Sequence, residues 1–194
     1  MRVSSAARRT AALALRHKVV SGSIVVFAVA IIAVSLATSP KAAPPADPVA
    51  AGFSMTSLNE PGQHVSLSQY KGKPVIVNFW ASWCTDCQTE TPLLASWYKQ
   101  QHGRIDLVGL DENDPSAKAL AFAHAKGITY PVGFDPLTIA AGAYGVDALP
   151  QTFFLNADHR VVERVFGAVT KAELAQGVNL MNASQTSGEK VITP

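Results

Sequence analysis

The sequence predicts an α/β domain, a mixed sheet flanked by helices, preceded by one N-terminal transmembrane helix. Three observations predict it. Apolar runs of strand length and helically spaced stretches follow in the order strand, helix, strand, helix, hairpin and helix. That order gives a sheet with a parallel part and an antiparallel edge. A 19-residue stretch, Val19–Ala37, carries neither charge nor proline. The only two cysteines, Cys84 and Cys87, stand where the strongest strand gives way to the longest helix.

The early apolar stretch would be about 28 Å long as a helix, close to the hydrocarbon thickness of a bilayer. Arg2, Arg8, Arg9, Arg16 and Lys18 precede it, and no acidic residue occurs before Asp47. This asymmetry favours a basic cytoplasmic segment at 1–18, a membrane anchor at 19–37 and an extracytoplasmic domain beyond it. A cleaved signal followed by secretion is the alternative, but Leu36-Ala37-Thr38-Ser39-Pro40 matches a cleavage site poorly. Arg8-Arg9 is a weak twin-arginine signal, since Arg16 and Lys18 separate it from the apolar core. With those five removed, 11 basic residues face 14 acidic ones. A net negative domain is a poor nucleic-acid surface, so no nucleic-acid partner is expected. Residues 38–51, with Pro40, Pro44, Pro45 and Pro48 among alanines, read as a semi-extended spacer.

The domain proper is expected at 52–183. Phe53–Leu58 and His64–Leu67 are short strands joined across Asn59-Glu60-Pro61-Gly62. Pro74–Trp80 is a buried strand. The helix after Cys84 runs to Gln101, with Leu93, Leu94, Trp97 and Tyr98 facing the core and Pro92 interrupting it. Ile105–Leu110 is a strand, and Asp111, Glu112 and Asp114 beyond it read as a solvated loop. Asp114-Pro115 has the form of an N-cap and first helical residue, opening a helix to about Lys126 that Gly127 ends. Leu120 and Phe122 are expected to reach the core from it. Thr129–Phe134 reads as a strand and Leu137–Tyr144 as a short helix. Gln151–Leu155 and Arg160–Phe166 form a hairpin around Asn156-Ala157-Asp158-His159. Thr170-Lys171-Ala172-Glu173 is a capping box opening a last helix to about Asn182. Residues 184–194 read as a disordered tail. His64, His102, His124 and His159 share no motif and read as surface residues.

A Cys-x-x-Cys at a strand-to-helix corner is the arrangement of a redox dithiol. A cysteine in the first helical turn meets unpaired N–H groups and the positive end of the helix dipole, which favour the thiolate. Cys84 is therefore the expected attacking sulfur. Cys87, one turn inward, closes the disulfide. A purely structural disulfide is the weaker reading, because so short a loop adds little chain-entropy stabilisation. A structural zinc site needs four ligands, and no second cysteine pair exists. Asp86, between the cysteines, opposes thiolate formation and so predicts a reductant; alternatively it only complements the dipole as an exposed first-turn acid. Glu90 follows Cys87 by three residues on the same helical face. If buried, its proton affinity rises and it can exchange protons with Cys87; the alternative is a solvated surface glutamate.

Val77-Asn78-Phe79-Trp80-Ala81-Ser82-Trp83-Cys84-x-x-Cys87 with Glu90-Thr91-Pro92 resembles the TlpA/ResA-like membrane-anchored thiol–disulfide oxidoreductases of the thioredoxin superfamily, redoxin and AhpC-TSA-like in kind. Leu67–Pro74 and Tyr144–Leu155 extend the resemblance, which covers roughly residues 52–182. It implies a thioredoxin-like fold, with Cys84 as nucleophile, Cys87 as resolving cysteine, Glu90 as the acidic residue of the site and Pro150 as a cis-proline against the dithiol. It implies substrate contact at Trp83, Leu149 and Pro150. Asn78 stands where cytoplasmic thioredoxins keep a buried aspartate. Thr85-Asp86 departs from the family, which often has proline second in that pair.

The resemblance further implies protein disulfide substrates, with apocytochrome c in cytochrome c biogenesis as one, a membrane thiol electron donor, and a monomer needing no cofactor and no metal. Two other functions are open. A thiol peroxidase shares the fold, but Ala81-Ser82-Trp83-Cys84 lacks the threonine of a peroxidatic Thr-x-x-Cys. Copper carriers of this fold have a Cys-x-x-x-Cys, one residue longer than here.

Overall fold

The structure, a computed structural model, describes residues 48–101 and 103–186. The expectations for the anchor at 19–37, its basic flank, most of the spacer, His102 and the end of the tail lie outside the described residues. Among the described residues no helix is long and apolar enough to cross a membrane.

Seven strands form one sheet: β1 Ser54–Ser57, β2 His64–Ser66, β3 Val75–Trp80, β4 Asp106–Glu112, β5 Val132–Asp135, β6 Gln151–Leu155 and β7 Val161–Phe166. Their order is β2-β1-β5-β4-β3-β6-β7. β3, β4 and β5 run parallel, while β1 on one flank and β6 on the other pair antiparallel to that core. The antiparallel character therefore occurs at both edges rather than the expected one. The helices are α1 Thr85–Gln101, α2 Ser116–Ala125, α3 Ile139–Tyr144 and α4 Lys171–Thr186.

All six side chains of β3 are buried, as a run that is apolar except for Asn78 predicts of a strand covered on both faces. Alternation divides them. Ile76 and Trp80 join one core with Leu94 of α1, Phe122 of α2 and Leu174 and Met181 of α4. Val75, Val77 and Phe79 join the other with Tyr144 of α3 and Phe153 of β6. Trp80 stacks on Phe122 at 4.9 Å between ring centroids. Phe79, Tyr144 and Phe153 form a tilted and edge-on aromatic trio with centroids 5.0–5.7 Å apart.

Element ends show where side chains outcompete the pattern. Leu67 leaves β2 because Ser66 caps a 3-10 turn, Leu67–Tyr70, in which Gln69 returns a bond to the Ser66 N–H. Asp114 does not cap α2. Its carboxylate is taken by the Ser82 N–H, and Pro115 stands at the cap position with no side-chain bond. Phe122 reaches the core, but Leu120 is exposed on the outer side of α2. Leu137 likewise stays outside α3. Asp135 caps that helix instead, accepting from the N–H groups of Ile139, Ala140 and Ala141 at 2.8–3.1 Å. Gly127 ends α2 in the left-handed region, at φ +70°. The Thr170–Glu173 capping box forms, and its helix runs four residues past Asn182, to Thr186.

Two further differences matter. The spacer's last residues belong to the domain: Val49 bridges to Arg160, and Pro48 and Ala50 bond to Val161 and His159. His159 is half-buried, with Nε2 3.0 Å from the Tyr70 carbonyl oxygen. Pro92 lies inside α1, and the carbonyl it leaves without an N–H partner, that of Gln88, accepts from Lys126 Nζ at 3.0 Å.

Gly177 of α4 lies against the Phe154 ring, and a Cβ there would collide with three ring carbons. Gly177→Ala gains up to ~1 kcal/mol of helix propensity but overpacks a filled core, which costs about 1–3 kcal/mol. The expected net result is a lower urea midpoint. A midpoint at or above that of the wild type would show that Phe154 yields.

Candidate active site

β3 ends at Trp80, and a turn over Ala81, Ser82 and Trp83 delivers the chain to α1. The Cys84 N–H donates to the Ala81 carbonyl at 3.2 Å, and the Cys84 carbonyl accepts from the Gln88 N–H at 3.2 Å. The Cys87 N–H donates to Cys84 Sγ at 3.1 Å. Cys84 thus occupies the N-cap, with sulfur in the place where serine or aspartate oxygen usually caps. This is one residue before the expected first turn, and the logic is unchanged: unpaired N–H groups and the helix dipole converge on the sulfur. Cys84 and Cys87 are joined in a disulfide with their Cα atoms 5.2 Å apart. Cys84 keeps 6% of its surface exposed and Cys87 none.

Glu90 is 2% exposed, not a solvated surface residue. Its Oε1 accepts from Asn78 Nδ2 at 2.8 Å and its Oε2 from the Val169 N–H at 2.7 Å. Asn78 also donates to Thr152 Oγ1 at 3.0 Å. These bonds favour the ionised carboxyl, but burial outweighs them, and Asp86 adds to its effect. The Glu90 pKa is pushed up to about 7. Tyr130, fully buried near Glu90, has its phenol held protonated by burial first and by the Glu90 charge second. Asp86 itself is exposed in the first turn of α1.

The acidic run expected as a solvated loop is not one: Asp111 and Glu112 are the last residues of β4, and only Asp114 lies beyond it. Asp111 has no exposed surface, and it pairs with Trp80 in the parallel ladder. Asp114 is buried and accepts the Ser82 N–H at 2.6 Å. Asn113, at φ +49°, turns its carbonyl to the Trp83 indole N–H at 3.1 Å. Trp83 nonetheless exposes 55% of its surface, so its edge is held while its face is free.

On the other side, the Leu149–Pro150 bond is cis. Half-buried Leu149 packs against the core that contains Cys84 and Cys87. The loop carrying it is tied down by Arg164 of β7. The guanidinium donates to the Gly145 carbonyl at 2.8 Å and to Gln151 Oε1, and it lies over the Phe153 ring at 4.8 Å. Gln151 in turn donates to Asp147 at 3.0 Å.

Cys84, Cys87 and Glu90 therefore lie on one helix start, with Trp83 beside them and Leu149 packed on their core. Asp111, Asp114, Thr152 and the Val169 backbone are neighbours of the candidate site that sequence reasoning missed. Period-two spacing with Leu107 and Gly109 was the available signal for Asp111, since it puts all three on the face of β4 that bears the dithiol. No comparable signal marks Thr152 or Val169. Among the described residues, no group of three or more His, Cys, Asp or Glu side chains is placed to hold a metal ion.

Comparison with known proteins agrees with this arrangement. A model of the AhpC/TSA family matches residues 47–164. The thiol-disulfide oxidoreductase ResA of Bacillus subtilis (strain 168) is 33% identical over 128 residues, covering 66% of this chain and 72% of ResA. A DsbF homologue from Corynebacterium diphtheriae superposes with a TM-score of 0.63 at 27% identity, over 73% of this chain and 95% of that one. A thiol:disulfide interchange protein of the thioredoxin family from Chlorobium tepidum TLS gives 0.63 at 28% identity, over 72% and 99%. The family model spans more than half of this chain, and the match to ResA spans more than two thirds of ResA. The chain therefore belongs to the AhpC/TSA family, among the ResA-like thiol–disulfide oxidoreductases with a thioredoxin fold.

Proposed function

We propose that this oxidoreductase reduces disulfides in other proteins outside the cytosol, with Cys84 as the attacking sulfur. The single observation that carries the assignment is the difference in exposure: Cys84 has surface and Cys87 has none. In the reduced protein the Cys84 thiolate attacks one sulfur of a substrate disulfide. That bond breaks, a mixed disulfide forms, and the other substrate sulfur leaves as thiolate. Glu90 accepts the proton of Cys87, whose sulfur then attacks Cys84 Sγ. The second substrate sulfur is released, and the protein keeps the Cys84–Cys87 disulfide. Two electrons have passed to the substrate.

Burial of Glu90 suits it to this transfer, because a carboxyl with pKa near 7 both takes and returns a proton at neutral pH. Trp83 and half-buried Leu149 form the substrate-facing rim, and Pro150, itself buried, sets the backbone of Leu149 through the cis bond. Asp86, close to a sulfur that has no cation between the cysteines, disfavours the thiolate and poises the pair as a reductant. Residues 19–37 anchor the domain with 1–18 on the cytoplasmic side. A membrane thiol protein returns the electrons, apocytochrome c is a substrate, and the protein acts as a monomer.

Cys87→Ser expressed in cells should accumulate mixed disulfides through Cys84, seen as dithiothreitol-sensitive bands and identified by mass spectrometry. Cys84→Ser should trap none. Trapping by Cys84→Ser alone would reverse the assignment. Peroxide consumption by the wild type at rates matching its reduction of disulfides would favour the peroxidase instead.

Glu90 also makes a stability prediction. Its folded pKa lies above its ordinary value of 4.5. Its contribution is therefore fully present below about 4.5 and is lost as the pH rises through 7, to a total of order 3 kcal/mol. Urea unfolding of the oxidised protein from pH 4 to 8 should show this loss, and Glu90→Gln should remove it. Part of the slope survives in the variant, because Asp111 has the same sign. Identical slopes in both proteins would sink the buried-carboxyl reading.

A further inference from the structure

Beneath the turn that leads into Cys84 lie carboxylate oxygens with no donor. Both oxygens of Asp111 and Oδ1 of Asp114 are buried and receive no N–H or O–H. Two such carboxylates side by side cannot both remain ionised, since each loses its hydration and faces the other's charge. One proton shared between them removes the conflict. Asp114 already has a donor for its other oxygen, the Ser82 N–H at 2.6 Å.

Asp111 has no such donor, and every charged group that acts on it is negative: Asp114 from the loop, Glu112 from its own strand and Asp135 from β5. On β3 its ladder neighbour is uncharged Trp80. Burial is the largest influence, and the carboxyl is pushed up to about 8. The oxygens of Asp135 take three N–H groups of α3. The proton thus belongs on Asp111.

We propose that Asp114 is a positioning residue of the dithiol and that Asp111 is its proton-bearing partner. The Asp111 O–H donates to Asp114 Oδ1, Asp114 Oδ2 accepts the Ser82 N–H, and the turn ending in Cys84 is held by the pair. Asn113 completes the hold through Trp83, so one loop grips two successive residues before the reactive sulfur. The role in reactivity rests on Cys84 being the attacking sulfur; the shared proton does not.

The test has two arms on the full chain. In the oxidised protein neither sulfur titrates, and a Glu90→Gln background removes the other carboxyl of the site that titrates near neutrality, so the Ser82 amide signal, followed in that background by two-dimensional NMR from pH 5 to 10, reads the acid pair. It should titrate in the background itself, stop titrating in Asp111→Asn, and titrate at lower pH in Asp114→Asn, where the neighbouring charge is gone. A Ser82 signal that titrates alike in all three, or in none, overturns the shared proton.

In the second arm the reduction of insulin, with dithiothreitol as electron source, is measured at pH 7. Asp114→Ala should lower kcat/KM about tenfold, and Asp114→Asn should recover most of it. Both variants lose the same charge, so the difference between them isolates the bond to Ser82. Equal rates in the two variants, with matching far-UV spectra, overturn the positioning role. Should Asp114→Ala not fold, Asp114→Ser takes its place: it retains a hydroxyl too short to span the gap, and the same outcomes apply.

Discussion

A strand with no exposed side chain must be covered on both faces, and β3 imposes that on the whole domain. Parallel β4 and antiparallel β6 satisfy its backbone, while α1, α2 and α4 cover one face and α3 the other. Such a strand has one direction in which to present chemistry: past its C-terminal end. The turn over Ala81–Trp83 begins there, and Cys84 caps the helix that follows. The same constraint fixes Glu90. Asn78 is the polar side chain of β3, and its buried Nδ2 finds acceptors in Glu90 and Thr152. A packing requirement thus ends in the placement of a carboxyl one turn beyond the dithiol.

The electrostatics of the site are a contest between a helix end and several acids. The helix N-terminus acts as about half a positive charge. Formally it faces Asp86, Glu90, Asp111, Glu112 and Asp114. Burial removes much of that opposition, because it leaves Glu90 and Asp111 with protons near neutral pH, and it raises Glu112 as well. Two cations of the region have partners of their own. Lys126 spends its ammonium on the Gln88 carbonyl and lies 5.7 Å from the Phe122 ring. Arg164 is occupied with the Leu149–Pro150 loop. The proton inventory, rather than the count of acidic residues, is what the sulfurs experience.

The dithiol, its strand and its helix were legible in the sequence because each carries a periodic or spacing signal that tertiary context did not override. The capping box at Thr170, the glycine stop at Gly127 and the hairpin at Asn156–His159 were legible because their chemistry is local. Asp111 and Asp114 were misread since acids after a strand are usually solvated, and only the parallel pairing to Trp80 brings them under the turn. Leu120 was misplaced because which side of α2 faces inward depends on the sheet it rests on. The final spacer residues were missed for a related reason: Pro48–Ala50 have no apolar pattern and join the domain through backbone bonds to residues more than a hundred positions away.

The unequal exposure of the two cysteines also bears on the order of events. With Cys84 as the proposed attacking sulfur and Cys87 without surface, electron donor and electron acceptor would each meet the same atom. They cannot be held together. On the proposed reading, turnover takes a double-displacement form, in which one visitor departs before the next is received and either one in excess inhibits the other by occupying a common dock.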